Sequence, residues 1–273
     1  MPMRKIIICV APVAGNPQAG IEKPFTAEEV AADVVAAAKA GASMVHLHVR
    51  DSAGRLTEDI GEFSRTLDLI RAESDIVIQG STGGVSNLSL EERCVALNDP
   101  RVEVASLNMG SVNFSEGVYI NTLPEIRYWA GRMRERDVRP ELVIFDGGMI
   151  NNVKLLAESG YLTPPFVYGL CLGVVGAAPA DAKNLFFLQD LLPAGAIWGC
   201  IHAEMSSFSL LAAAIGMGAR IVRVGFEDSP YYAPGRMESC NAKLVERMAD
   251  LIRILGYEVA SPEEAREILG ITR

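Results

Sequence analysis

Eight short apolar runs recur along the chain, separated by polar stretches with helical periodicity, and no other feature restricts the fold as much. The runs are Ile6–Val10, Ser43–Val49, Asp75–Gln79, Val102–Leu107, Leu142–Phe145, Phe166–Leu172, Ala196–Ile201 and Ile221–Gly225. Rich in Val and Ile and too continuous to be amphipathic, they suit strands covered on both faces, and the spacers suit parallel crossovers. The spacers also carry helix punctuation. Thr26-Ala-Glu-Glu precedes Val30–Ala40, which Gly41 stops, and Ser261-Pro-Glu-Glu precedes Ala265–Leu269. An open doubly wound sheet would give a similar string. The count of eight selects an α/β (β/α)8 TIM barrel, expected as one domain over residues 1–273.

A chain of 273 residues that is 49% hydrophobic can bury a core of that size. Its net charge of -9, with no run of Lys or Arg, argues against a nucleic-acid groove or an anionic membrane surface as partner. The five cysteines are widely spaced and form no CxxC pair, which suggests reduced cytoplasmic thiols and neither a disulfide framework nor a zinc knuckle. The greasy start is cut by Pro12 and reads as a buried first strand rather than a signal peptide. No window approaches the roughly 20 uninterrupted apolar residues of a membrane helix.

In such a barrel the active site is built from the C-terminal ends of the strands, and polar residues collect there. The second run ends His46-Leu-His48-Val-Arg50-Asp51, the third leads into Ser81-Thr82-Gly83-Gly84, and the fourth ends Ser106-Leu-Asn108. The fifth leads into Asp146, and the eighth gives Arg223-Val-Gly-Phe-Glu227-Asp228. Strand periodicity puts His46 and His48 on one face, pointing into the barrel. Paired inward imidazoles suit a shared divalent cation, or else they are hydrogen-bonded core histidines. Glu227 is the best third ligand, because the eighth strand of a closed barrel lies next but one to the second. Alone, Glu227 and Asp228 would read as a solvated loop pair. Arg223, inside an apolar run, clamps a substrate carboxylate, orients Asp228, or forms a structural ion pair. Ser81, Thr82 and Gly83 offer hydroxyls and amides to a carboxylate or phosphate, or make a plain turn. His202 is given no role.

These motifs in this order, with Ala105-Ser-Leu-Asn-Met-Gly-Ser-Val-Asn-Phe114, Gly173-Val-Val-Gly176, Asn241-Ala-Lys-Leu-Val-Glu and a closing Ala-Arg-Glu-Ile-Leu-Gly, resemble the β-keto acid cleavage enzymes along essentially the whole chain. The resemblance implies a homotetrameric TIM barrel with zinc held by His46, His48 and Glu227. It implies a reaction joining a β-keto acid to acetyl-CoA and giving acetoacetate and a new acyl-CoA. Matching motifs nominate Asp228 as base, steadied by Arg223, and place Ser81 and Ser106 on substrate oxygens, with Thr82, Gly83, Asn108 and Asp146 as further substrate contacts. This chain departs from the family pattern after its first strand, where a glutamate is expected and Ala11-Pro-Val-Ala-Gly-Asn16 stands, with no acid until Glu22. Asp146 replaces a glutamate and leaves room for a cationic substrate tail.

Two other readings use the same residues. A metal-dependent hydrolase with an HxH strand needs further histidines, and only His202 remains to supply one. A non-catalytic barrel binding an acyl-CoA or keto acid is the other. A two-histidine, one-carboxylate set also serves iron, manganese or cobalt.

Overall fold

The structure, a computed structural model, describes residues 3–13, 26–83 and 87–272. Gly84, the segment 14–25 with Asn16 and Glu22, and both ends of the 1–273 expectation lie outside the described residues.

Eight parallel strands form the barrel: β1 (Lys5–Val10), β2 (Met44–Leu47), β3 (Val77–Gly80), β4 (Val104–Asn108), β5 (Arg139–Ile144), β6 (Val167–Leu172), β7 (Ile197–His202) and β8 (Ile221–Val224). Each pairs with the next, and β8 returns to β1 with Ile7 opposite Ile221 and Val10 opposite Val224, so the ring is closed. Closure distinguishes the TIM barrel from an open sheet, and the expected fold is the one observed. A two-residue strand, Glu258–Val259, adds to the start of β1.

The outer layer is α1 (Ala27–Ala40), α2 (Gly61–Glu73), α3 (Leu123–Glu135), α4 (Gly147–Glu158), α5 (Ala182–Asp190), α6 (Ser209–Gly216) and α7 (Asn241–Ile254), with a 3-10 segment, Glu92–Asn98, between β3 and β4. Thr26 caps α1 in a full capping box with Glu29, and Gly41 ends the helix at φ +121°, as the sequence predicts. The last helix, α8 (Pro262–Leu269), starts with the same device at Ser261. Its Ala265 and Leu269 pack against Ile7, Met44, Val77, Val104, Val167 and Ile221, plugging the barrel at the N-terminal ends of the strands. Beside it Arg266 donates to Asp75 Oδ2 at 2.9 Å and to Glu103 Oε1 at 3.0 Å. One end of the barrel is thus sealed, and chemistry belongs at the other.

Two antiparallel hairpins absent from the sequence reading stand on the open end. Val112–Phe114 pairs with Gly117–Tyr119 after β4, and Tyr231–Ala233 pairs with Arg236–Met237 after β8. Strand β5 begins three residues before the predicted Leu142, because Pro140 and Glu141 interrupt the apolar pattern of a strand whose backbone continues through them. No helix among the described residues is long and apolar enough to cross a membrane.

Candidate active site and metal centre

His46 points inward from β2, and His48 follows one alternation later at the strand's exit. Glu227 reaches them from the loop after β8. Its Oε1 lies 3.7 Å from His46 Nε2 and 3.5 Å from His48 Nε2. The donor atoms of the three residues lie within 4.8 Å of one another, the one such His/Cys/Asp/Glu group among the described residues.

The local backbone explains how Glu227 arrives there. Gly225 sits at φ +138°, and a Cβ on it would stand 2.3 Å from the Ala11 carbonyl oxygen, so only glycine lets the chain cross β1 this closely. Glu227 N then donates to Ala11 O at 3.0 Å, and Phe226 N to Asn241 Oδ1 at 2.9 Å. Asn241, the first residue of α7, also donates from Nδ2 to Pro12 O at 3.2 Å and to Asp33 Oδ2 at 2.6 Å. One buried amide thus ties the loops after β1 and β8 to α1.

Asp33 supports a stability prediction. Burial pushes its carboxyl up to about 6, against the Asn241 hydrogen bond. A buried acid with a raised pKa holds its proton more tightly folded than unfolded. Stability is therefore greatest below the unfolded value near 4 and falls as pH rises toward 6. Asp33→Asn removes that cost while keeping an acceptor for Asn241. In denaturant titrations it should be more stable than wild type at pH 7.5 by about 1–3 kcal/mol, with the gap closing below pH 4. A gap independent of pH would contradict the assignment.

Behind the triad runs a relay that the sequence reading missed. His46 Nδ1 meets Gln79 Oε1 at 2.8 Å, and Gln79 Nε2 donates to Glu141 Oε2 at 2.6 Å. Because the amide must donate to the Glu141 carboxylate, its oxygen faces His46, and Nδ1 carries the imidazole proton. The Nε2 lone pair is left facing Glu227. Burial drives His46 down to about 3, so the ring is neutral. Burial also pushes Glu141 up, partly offset by Gln79 and Arg223. A signal for the relay existed: Gln79 is in phase with Ser81, and Glu141 precedes the fifth apolar run.

Arg223 points into the barrel from β8. Its Nε donates to Asp228 Oδ2 at 2.7 Å, its Nη2 donates to Asp228 Oδ1, and Nη2 lies 3.5 Å from Glu227 Oε1. Burial works against the charge on Glu227, but the imidazoles and Arg223 outweigh it and hold the carboxylate well below its usual range. Arg223 is the permanent charge among these, since His46 is neutral. Asp228, only 4% exposed, is raised by burial with Arg223 opposing.

The remaining nominated residues divide. Ser81 Oγ accepts from Gly83 N at 3.3 Å, and Ser81 lines a cleft with His48. Thr82 is turned onto β4, its N donating to Ser106 Oγ at 3.3 Å and its hydroxyl to the Ser106 carbonyl. Asn108 Nδ2 donates to Tyr119 Oη at 2.8 Å, and the Tyr119 hydroxyl occupies the space a Cβ at Gly83 would need. Asp146 is exposed and caps α4, accepting from Gly148 N at 2.8 Å and Met149 N at 3.3 Å.

The donor set fits a divalent cation. A neutral imidazole lone pair and a carboxylate facing each other at 3.7 Å share no proton, which is unfavourable unless a cation lies between them. Donors about 2.1 Å from a tetrahedral ion stand about 3.4 Å apart, close to both separations seen here. Cysteine chemistry is absent from the site: burial raises Cys9 and Cys171 and takes Cys200 up to about 12, so these thiols stay protonated.

Comparisons with known proteins agree with this geometry. The 3-keto-5-aminohexanoate cleavage enzyme of Fusobacterium nucleatum subsp. nucleatum is 36% identical over 277 residues, covering 99% of this chain and 100% of the relative. The 3-oxoadipate:acetyl-CoA acetyltransferase of Cupriavidus necator is 30% identical over 253 residues, covering 91% and 88%. Among solved structures, the ternary complex of ObcA with a C4-CoA adduct and oxalate superposes with a TM-score of 0.75 at 18% identity, covering 91% of this chain and 67% of that one. That likeness bears on the barrel alone. A family model described as beta-keto acid cleavage enzyme matches residues 5–271, and with it the chain belongs to the β-keto acid cleavage enzyme family.

Proposed function

We propose that this chain transfers groups between a β-keto acid and acetyl-CoA, releasing acetoacetate and a new acyl-CoA. The observation that carries the reading is the meeting, at one rim, of a cation-ready His46–His48–Glu227 triad and a buried Arg223–Asp228 pair. Relatives named 3,5-dioxohexanoate:acetyl-CoA acetone transferase and 3-oxoadipate:acetyl-CoA acetyltransferase support it.

His46, His48 and Glu227 would hold a divalent ion, zinc in this reading, which would supply Lewis acidity to the keto acid and make the carbon beside its ketone more acidic. Asp228 takes the proton from the carbon between ketone and carboxylate, and Arg223 keeps the carboxylate aimed and ionised. That carbon bonds to the acetyl carbonyl, and CoA leaves as its thiolate. The thiolate adds to the original keto carbon. The bond from that carbon to the newly acetylated one breaks, giving acyl-CoA and acetoacetate, which recovers the proton held by Asp228. Ser81 and Ser106 donate to substrate oxygens as negative charge develops on them. Thr82, Gly83 and Asn108 shape the floor beside them, and Asp146 stands at the outer rim. No side-chain nucleophile is needed.

The test is to incubate metal-analysed protein with acetyl-CoA and a panel of β-keto acids, following acetoacetate and new acyl-CoA by mass spectrometry. Formation of both in equal amounts is expected. CoA-independent hydrolysis would favour a hydrolase, and binding without turnover a sensor.

The same reading makes the protein a cytoplasmic homotetramer built from one barrel domain per chain. Exposed Phe186 and Phe187 on α5, with Leu191 just after it, support assembly, since such side chains seldom face water together. Light scattering should give four times the chain mass, and Phe186→Glu with Phe187→Glu should lower it. A monomeric wild type would refute the tetramer.

A further inference from the structure

Glu141 is a carboxylate buried inside the barrel with no ion pair among the described residues; its hydrogen-bond partner is the neutral amide of Gln79. It stands opposite Ser106 in the β4–β5 register, and Gln79 stands opposite His46 in the β2–β3 register, so one layer of inward side chains runs from β2 to β5. The guanidinium in the same interior, Arg223, is committed to Asp228 and Glu227. Space is kept for the acid by Gly169 on β6, where a Cβ would lie 3.0 Å from Glu141 Oε1.

Burying a carboxylate without a cation is costly, and a neutral side chain would fill this layer at less cost. What the charge supplies is direction. An ionised carboxylate accepts hydrogen bonds and never donates, so it fixes the end of the Gln79 amide that faces it, and the oxygen at the other end faces His46 Nδ1 at 2.8 Å. The opposing pull comes from Glu227. Its Oε1, 3.7 Å from His46 Nε2, draws the single imidazole proton toward Nε2, where it would block the lone pair a cation needs. His48 shows a ring without such a relay. Its Nδ1 is buried with no partner, and its Nε2, 3.5 Å from the same carboxylate oxygen, is free to donate to it.

We propose that Glu141 is a positioning residue for the metal centre: through Gln79 it holds the His46 proton on Nδ1 against the pull of Glu227, keeping one donor of the triad open before an ion arrives. The inference rests on the triad being a cation site and holds whichever keto acid is used. Glu141 touches neither ion nor substrate in this role. It acts by choosing which of two neutral forms His46 adopts.

The chain has three histidines, so ring 15N shifts of histidine-labelled, metal-free protein at pH 7 read each tautomer separately. Zinc affinity of the same samples would be measured by competition with a chromophoric chelator. Wild type should carry the His46 proton on Nδ1. In Glu141→Gln the Gln79 amide is free to turn over, so the proton moves to Nε2 and zinc affinity falls about 10- to 100-fold, the range for loss of an outer partner of a ligating histidine. His48 and His202, whose Nδ1 atoms have no partner, should keep their shifts. The exchange Gln79→Glu with Glu141→Gln should restore both readouts, because the carboxylate at position 79 then accepts from Nδ1 directly and the amide at position 141 donates to it. A merely structural role predicts no tautomer change in the single variant and no rescue in the double one, and either result would overturn the proposal. If Glu141→Gln fails to fold, the wild-type tautomer and the exchanged pair still decide, since a wild-type His46 proton on Nε2 is enough to sink it. Wild type that takes up no zinc would overturn the cation site and this role together, whereas equal zinc affinity in wild type and Glu141→Gln would overturn the role alone.

Discussion

His46→Ala abolishes metal retention and lowers turnover by about 10³-fold or more. An ion held by His46, His48 and Glu227 would supply a Lewis acid worth several kcal/mol to the proposed reaction, each 1.4 kcal/mol being tenfold. The variant should still fold, because the imidazole it removes is neutral and leaves no buried charge unpaired; Glu227 keeps Arg223 at 3.5 Å. Wild-type protein should gain stability from added zinc, about 2.7 kcal/mol at a hundredfold excess over Kd, and the variant should gain almost none. Elemental analysis, a thermal melt with and without chelator, and an acetoacetate assay check it together. A His46→Ala protein that kept one equivalent of metal and its activity would remove the triad from the mechanism.

Asp228→Asn separates proton transfer from metal binding. Asn keeps the shape and one acceptor for Arg223 but cannot take a proton, so kcat should fall about 10²–10⁴-fold, the range for loss of a general base. Metal content should stay at one equivalent, because the triad does not include Asp228. Some stability is lost with one half of a buried pair, moderated by Glu227 remaining near Arg223. The decisive comparison is between the variants: His46→Ala loses metal and rate together, whereas Asp228→Asn loses rate alone. An Asp228→Asn enzyme with near wild-type kcat would require another base.

What the sequence made legible and what it hid follow from the range of the signals. Apolar runs and caps act within one element, so the strands, the Thr26 and Ser261 caps and the closed barrel were readable, and the period of two placed His46 and His48 together. Gln79 and Glu141 were not read, because each is a polar residue inside or beside a strand whose meaning depends on a partner 62 positions away. Asn241 was legible only as part of a motif, not as the amide that joins the loops after β1 and β8 from the start of a helix. Thr82 and Asn108 were legible as rim residues but not as groups already bonded to Ser106 and Tyr119, since hydrogen-bond partners across strands leave no local pattern. Tyr119 itself comes from a hairpin too short to carry a periodicity.

Ring closure gives the candidate site a temporal character. Two of the candidate donors come from β2 and its exit and the third from just beyond β8, so the triad exists only after the last barrel strand has paired with the first. Ribosomal synthesis delivers His46 and His48 early and Glu227 near the end, and no partial barrel offers the third donor. Non-local pairings of this kind form late in folding. Ion capture by this triad would therefore report completed assembly, loading finished barrels and leaving nascent ones empty.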